Sequence, residues 1–478
     1  MPRLLASAVL VALPACQTLE QAPPPAPGFE EHFTGATLRF DYHHVGTAKE
    51  EHIAPAGVRL EGAWPGSRTQ LVDATDLGKY RFLLVEAGSG RTLYSRGFCS
   101  VYGEWETTGE AKERWRALEE SQRFPEPRKP AEMVLEKRLD QGGWRELSRT
   151  PLDPAARFVD RAPLAQDLEV VTLAEHGPSA SKVDLLVLAD GYTAAQREEF
   201  LADARRLVGV MFATQPYQRH AAGFNVRLGF TAAAEAGISN PRKGVWRSSV
   251  HDLSFNAFDS DRYVLTFSDR ALRERAAQAP YDALILLFNE RKYGGGGIFN
   301  LWCTAAADAE ASAYLFVHEF GHSFAGLADE YYTSQVSYEE LLPSGVEPWE
   351  PNVTALVDPA RLKWRDLVDA ATPLPSPWRQ DEFDRADLEY QQKRKALIDA
   401  RAPEEASEAL MREVKQSSSA FLAAEPLHGR VGAFQGAMYA ARGLYRPEVD
   451  CIMFTRNPPS FCRVCERAIE RVIQQHLR

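Results

Sequence analysis

The stretch ASAYLFVHEFGHSFAGLADEYYTS, residues 311–334, decides how the rest of the chain is read. Its first seven residues are apolar enough to be a buried helix, and Gly326 offers a break where that helix can end. Between them His318 and His322 stand at i and i+4. On a helix that spacing puts both imidazoles on one face, close enough to grip one ion. Glu319 lies one step round the helix, able to take a proton from a water at the metal without being a ligand. Beyond Gly326 the chain can turn back and offer Asp329 or Glu330 as an acidic third ligand. Whichever acid is not used would orient a ligand histidine or hold the turn. Two neutral histidines, one carboxylate and one open position make a normal catalytic zinc shell, although another first-row divalent ion would also bind such a set. The plainer reading of the spacing is a helix with two hydrogen-bonded histidines.

Working outward, the flanking sequence has the pattern of buried strands separated by helices. Val183 to Ala189 (VDLLVLA) is a continuous apolar run ending in Asp190-Gly191, a helical period follows from Ala194 to Phe212, and Ala283 to Phe288 (ALILLF) is a second buried strand. This predicts an α/β or α+β catalytic domain over 165–478 with a mostly covered sheet. Residues 29–150 alternate apolar and polar in short runs, as in Thr37 to Tyr42 and Lys79 to Val85, with Gly88-Ser89-Gly90 as a hairpin turn. That pattern predicts a β-sandwich. The polar stretch Thr107 to Gln122 reads as a helix interrupting it, closed by Phe124-Pro125-Glu126-Pro127, and 151–164 reads as a linker. Strong helix formers over 380–424, divided by Pro403, predict a protruding helical hairpin whose charges form a solvated surface. The four glycines at 294–297 read either as a flexible hairpin or as a sheet edge to which an extended peptide could add as a strand. No Gly-Lys-Ser or Gly-Lys-Thr follows them, so they are not a phosphate loop.

A chain of 478 residues exceeds one ordinary core, which agrees with two domains. The net charge of −11 and the absence of any dense basic block argue against a nucleic-acid partner. At the N-terminus, Arg3 followed by an apolar stretch from Leu4 to Leu13, too short to span a bilayer, reads as an export signal. Leu13-Pro14-Ala15-Cys16 resembles the bacterial lipobox, with Pro14 in place of the usual small residue. Residues 1–16 are therefore expected to be an export signal with Cys16 lipidated, a plainly cleaved signal being the alternative. The proline-rich 17–28 would be a stiff spacer. An anchored chain would touch the membrane only through that lipid and would sit at the cell envelope, otherwise in the periplasm or outside the cell. Of the remaining cysteines, Cys451, Cys462 and Cys465 crowd together; export favours a disulfide among them, and a small structural metal site with His476 is the alternative.

The segment from His318 to Ser334 resembles the active-site segment of the immunoglobulin A peptidase family of bacterial zinc metallopeptidases. Further likeness lies in Tyr293-Gly294-Gly295-Gly296-Gly297-Ile298-Phe299-Asn300, Glu347-Pro348-Trp349-Glu350-Pro351-Asn352, Arg442-Gly443-Leu444-Tyr445-Arg446-Pro447 and Cys451-Ile452-Met453. Tyr94-Ser95-Arg96-Gly97-Phe98 and Gly103-Glu104-Trp105 are similar to the β-sandwich preceding the peptidase domain. The resemblance implies an α+β chain in which a β-sandwich precedes a zincin-like α/β metallopeptidase domain. It implies His318 and His322 as zinc ligands, Glu319 as acid/base and Asp329 as third ligand. Met453 would lie beneath the metal like a methionine turn or be an ordinary core residue. Tyr439 and Tyr445 are candidates to hydrogen-bond a developing oxyanion. The expected activity is hydrolysis of a peptide bond in a protein or peptide substrate. A non-catalytic surface-binding protein with a structural zinc, or a zinc hydrolase of a non-peptide amide, are the alternatives.

Overall fold

The computed structural model describes residues 28–333, 342–343, 345–456 and 460–477. The expected export signal with Cys16, and the spacer apart from Gly28, lie outside the described residues. The N-terminal part is built from eight strands: β1 (Phe33–Gly46), β2 (Glu51–Ala63), β3 (Tyr80–Glu86), β4 (Thr92–Phe98), β5 (Arg116–Pro127), β6 (Ala131–Arg138), β7 (Trp144–Leu152) and β8 (Val159–Asp160). They form two four-stranded sheets, ordered β5-β1-β2-β8 and β4-β3-β6-β7. Phe40, Phe124, Phe82, Leu84, Tyr94 and Met133 from both sheets share one core, which makes a β-sandwich.

The polar stretch expected to be helical is mostly strand. Only Gly109–Glu113 is helical there, and β5 pairs antiparallel with β1 from Gly46↔Arg116 to Phe33↔Pro127. Local helix propensity loses to tertiary pairing because the polar side chains of β5 have specific partners. Glu120 meets His44 and the Tyr102 N–H, Ser121 donates to Asp269, and Arg123 donates to Glu61 and the Tyr281 carbonyl. Pro125 and Pro127 are tolerated because β5 is an edge strand. The expected linker is also partly ordered sheet: Leu152 ends β7, and β8 pairs in parallel with β2.

The second part carries a six-stranded sheet in the order β13-β14-β12-β10-β11-β9. Its strands are β9 (Glu169–Ala174), β10 (Val183–Asp190), β11 (Phe224–Phe230), β12 (Ala283–Phe288), β13 (Gly295–Ile298) and β14 (Trp302–Ala306). The four inner strands are parallel and the two edges, β9 and β13, are antiparallel. Every residue of β10 is buried, as its unbroken apolar run requires. The helix Ser312–Ala325, here the metal helix, packs on β13 and β14, and the helices Arg197–Ala213 and Arg463–His476 pack on it in turn. A two-stranded hairpin, β15 (Phe434–Ala437) and β16 (Ala440–Arg446), completes the fold. The chain is thus α+β, a β-rich part followed by a mixed α/β part. One apolar core runs from Val101, Tyr102, Trp105 and Leu118 of the first part into the sheet of the second. The sandwich is therefore joined to the second part through a shared core rather than tethered to it.

The helices Gln380–Asp399 and Glu404–Ala423 form the expected hairpin, with Pro403 capping the second. It differs from a purely solvated protrusion. Phe383, Tyr390, Arg394, Met411 and Val414 line a cleft above the metal helix. Among the described residues no helix is long and apolar enough to cross a membrane.

Candidate metal centre and cleft

The metal helix ends because Gly326 adopts a left-handed conformation, φ 62°. Its N–H donates to the His322 carbonyl and that of Leu327 to the Gly321 carbonyl, which closes the helix and reverses the chain. A Cβ at Gly326 would come within 2.8 Å of the Trp349 ring, so only glycine fits this reversal. The reversal carries Asp329 back beneath the imidazoles. Asp329 Oδ1 lies 3.1 Å from His318 Nε2 and 3.2 Å from His322 Nε2, and the two nitrogens are 3.1 Å apart.

The tautomers follow from the other ring nitrogens. His318 Nδ1 faces the Ile452 carbonyl at 3.1 Å, with the Tyr314 hydroxyl at 3.0 Å, and His322 Nδ1 faces the Leu327 carbonyl at 2.5 Å. A carbonyl can only accept, so each Nδ1 carries the proton and each neutral ring turns a lone pair on Nε2 toward the other and toward Asp329. Two lone pairs and a carboxylate oxygen converging in a buried place require a cation. Asp329 Oδ1 has no hydrogen-bond donor among the described residues, as an atom reserved for one would not. Ligands about 2.0–2.1 Å from a tetrahedral zinc stand about 3.3–3.4 Å apart, so this triangle needs to open by only a few tenths of an ångström to hold one with its fourth position open. Without the ion a proton must serve instead. Burial opposes charge on His322, but the adjacent Asp329 carboxylate lifts its pKa to about 9. Burial likewise opposes ionisation of Asp329, and the imidazoles, His322 foremost, hold its carboxyl well below the usual range.

The second oxygen of Asp329 is used differently: Oδ2 accepts from the Tyr439 hydroxyl. Tyr439 and Met438 sit at φ 62° and 47° in the turn between β15 and β16, where Ala437 pairs with Ala440. Such a two-residue turn demands positive φ at both positions and ordinarily takes Asn or Gly. Two bulky residues there carry backbone strain, offset by docking onto the metal turn. Met438 N–H donates to the Asp329 carbonyl and Tyr439 N–H to the Tyr331 carbonyl.

Glu319 opens onto the cleft, and burial raises its carboxyl pKa against the pull of the neighbouring imidazoles. The glycines at 295–297 form the edge strand β13, not a loose hairpin. A Cβ at Gly297 would meet the Glu319 carbonyl at 2.4 Å and His322 Cβ at 2.8 Å, so the strand lies directly against the metal helix. The cleft, about 320 Å³, is bounded on this side by β13 and opposite by the helical hairpin. Arg262, Arg394 and Arg456 give it a cationic wall, and Arg262 next to Arg394 lowers the pKa of the latter.

Glu330 turns away from the histidines, and its Oε1 accepts from Asn352 and lies 3.3 Å from Cys465 Sγ, so it is not placed with the histidine pair. Tyr445, unlike Tyr439, is outside the cleft lining; its backbone pairs with Thr354. Met453 is fully buried beneath the metal helix, its sulfur next to Gly321. No S–S bond joins Cys451, Cys462 and Cys465 in the structure, and His476 stands apart from them, stacked on Phe324 and 3.6 Å from Asp282. Tyr314, Ile452, Leu327 and Asn352 were not among the candidates. Tyr314 could have been, because it stands four residues before His318 on the same helical face. The backbone carbonyls and the hairpin face leave no such signal.

This sheet, metal helix and histidine–carboxylate cluster define a metallopeptidase type of protein. Residues 171–473 match the family described as IgA Peptidase M64, and residues 28–147 match the domain described as Peptidase M64 N-terminus. The chain belongs to the IgA peptidase M64 family, and it is an enzyme of the metallopeptidase class, acting on protein or peptide substrate with a metal cofactor. A comparison with curated proteins gives no match.

Proposed function

We propose that the chain is an exported zinc endopeptidase with His318, His322 and Asp329 as ligands and Glu319 as general base and acid. The observation that carries this reading is the convergence of two Nε2 lone pairs and Asp329 Oδ1 within 3.2 Å, beside a carboxylate that is not part of the triangle. Zinc bound there would supply a Lewis acid that acidifies water and polarises the scissile carbonyl. Glu319 takes the proton of the attacking water and passes it to the leaving amine. Its raised pKa brings it closer to the range where both transfers are efficient. The outward N–H and C=O of Gly295 already pair with the Arg262 carbonyl and the Val264 N–H, so an extended peptide would meet β13 beyond that point, beside Gly297. The cationic wall of Arg262, Arg394 and Arg456 favours acidic side chains in that peptide. Tyr439 orients Asp329 rather than the oxyanion. Export, with Cys16 as a lipid anchor, rests on residues 3–16 of the sequence alone.

Chelation tests this reading. Stripped protein should lose cleavage of an unfolded protein substrate and regain it with added zinc. Cleavage that persists at the full rate in metal-free protein would overturn it.

A further inference from the structure

Behind the turn that presents Asp329 lies a second group of donors. Cys451, Cys462, Cys465 and Glu330 are all buried, and one donor atom from each lies within 4.8 Å of every other. Cys451 Sγ and Cys465 Sγ are 3.8 Å apart, and Cys465 Sγ is 3.3 Å from Glu330 Oε1. With zinc–sulfur bonds of about 2.3 Å, the edge of a regular tetrahedron between two thiolates is about 3.8 Å, and a sulfur–oxygen edge is a few tenths shorter. These two separations are close to those of ligands around one ion, and every other pair of donors lies within 4.8 Å.

Three further features point the same way. Glu330 Oε2 is buried and has no hydrogen-bond partner among the described residues, an expensive state for a carboxylate. Arg446, a nearby cation, spends its donors on the carbonyls of Gln435, Gly436 and Val449. Main-chain N–H groups are aimed at sulfur, Cys462 N at Cys451 Sγ (3.2 Å) and Cys465 N at Cys462 Sγ (3.5 Å), and Cys462 caps the N-terminus of the last helix. Both arrangements stabilise thiolate charge.

We propose that Cys451, Cys462, Cys465 and Glu330 bind a second zinc ion, structural and fully enclosed by protein ligands. Its net charge with four ionised ligands equals that of a four-cysteine site. Binding releases the protons of the thiols and forms no sulfur–sulfur bond. The ion would staple the acidic turn, the 451–453 loop and the last helix at one point. That point bears on the cleft, because Glu330 adjoins Asp329 in the chain, its N–H donates to the Met453 carbonyl, and the neighbouring Ile452 carbonyl faces His318.

The test is metal content and spectroscopy on the full chain. Wild-type protein purified without added metal should carry two zinc ions by mass spectrometry of the elements. The His318→Ala/His322→Ala variant should carry one. Loaded with cobalt(II), that variant should keep a strong thiolate-to-cobalt charge-transfer band, and further substitution of Cys465→Ser should abolish the band. One zinc in wild type and none in the histidine variant would overturn the proposal. So would a disulfide joining any two of the three cysteines in peptides mapped without reduction. Wild type and the histidine variant decide the matter even if the cysteine variant does not fold. Neither readout depends on whether the enzyme cleaves peptides.

Discussion

Replacing Tyr439 by Phe removes one oxygen and leaves the ring that packs against Tyr331, 5.4 Å between centroids. In the native protein the two oxygens of Asp329 divide their work, Oδ1 toward the histidines and Oδ2 toward the Tyr439 hydroxyl. A hydrogen bond to an ionised carboxylate contributes about 1.5–3 kcal/mol. If that contribution fixes the orientation in which Asp329 meets the metal, its loss weakens zinc binding about 10–100-fold, the usual effect of deleting a group that orients a ligand. Competition with a chromophoric chelator measures the affinity. The same variant assayed at saturating zinc should recover most of its kcat, because the reacting groups are intact. Unchanged zinc affinity with a kcat reduced by orders of magnitude would instead assign Tyr439 to the reacting oxyanion.

Four other outcomes are expected. Gly297→Ala places a Cβ 2.4 Å from the Glu319 carbonyl and so pushes β13 off the metal helix; overpacking of this kind costs about 1–3 kcal/mol, seen as a lower Tm, and activity should fall at least about tenfold. Glu51, held by His44, Lys137 and Arg145, has its pKa lowered to about 2: burial opposes ionisation, but hydrogen bonding from His44 and the charge of Lys137 prevail. A depressed carboxylate stabilises the fold above its unfolded pKa of about 4.5 and loses that effect as pH falls toward 2. Glu51→Gln should therefore cost up to about 3 kcal/mol at pH 7 and near 1 kcal/mol at pH 3, measured by urea unfolding. His44 behaves oppositely. Its folded pKa is raised, burial being outweighed by Glu120 and Glu51, so its contribution is complete below about pH 6.5 and fades as pH rises through the folded value. Arg394→Ala should raise KM for peptides with an acidic residue near the cleavage point and leave neutral peptides little changed, read from paired kinetics; an equal effect on both would remove the charge argument.

The parts legible in the sequence were those fixed by short-range pattern. VDLLVLA and ALILLF became β10 and β12, Pro403 divides the hairpin helices, and His318, Glu319 and His322 share one helix because their spacing leaves little choice. What escaped depends on contacts distant in the chain. The strand at 116–127 hid behind helix-forming Arg, Glu and Gln whose partners lie on β1 and the catalytic part. Asp329 and Glu330 are adjacent in sequence and cannot be told apart by pattern; the chain reversal at Gly326 sends one side chain to the histidines and the other to the cysteines. Cys451, Cys462 and Cys465 were visible as a cluster, but their fourth neighbour, Glu330, is more than 100 residues away.

Hydrolysis of peptide bonds at this site rests on Glu319 moving the proton. It is tested most directly by mass-spectrometric mapping of the peptides released from a mixed protein digest by wild type and by Glu319→Ala, each with its zinc content measured. Equal zinc is expected in the two proteins, with a set of cleavage products from wild type that the variant does not yield. Identical products from both, at equal zinc content and similar rates, would contradict it.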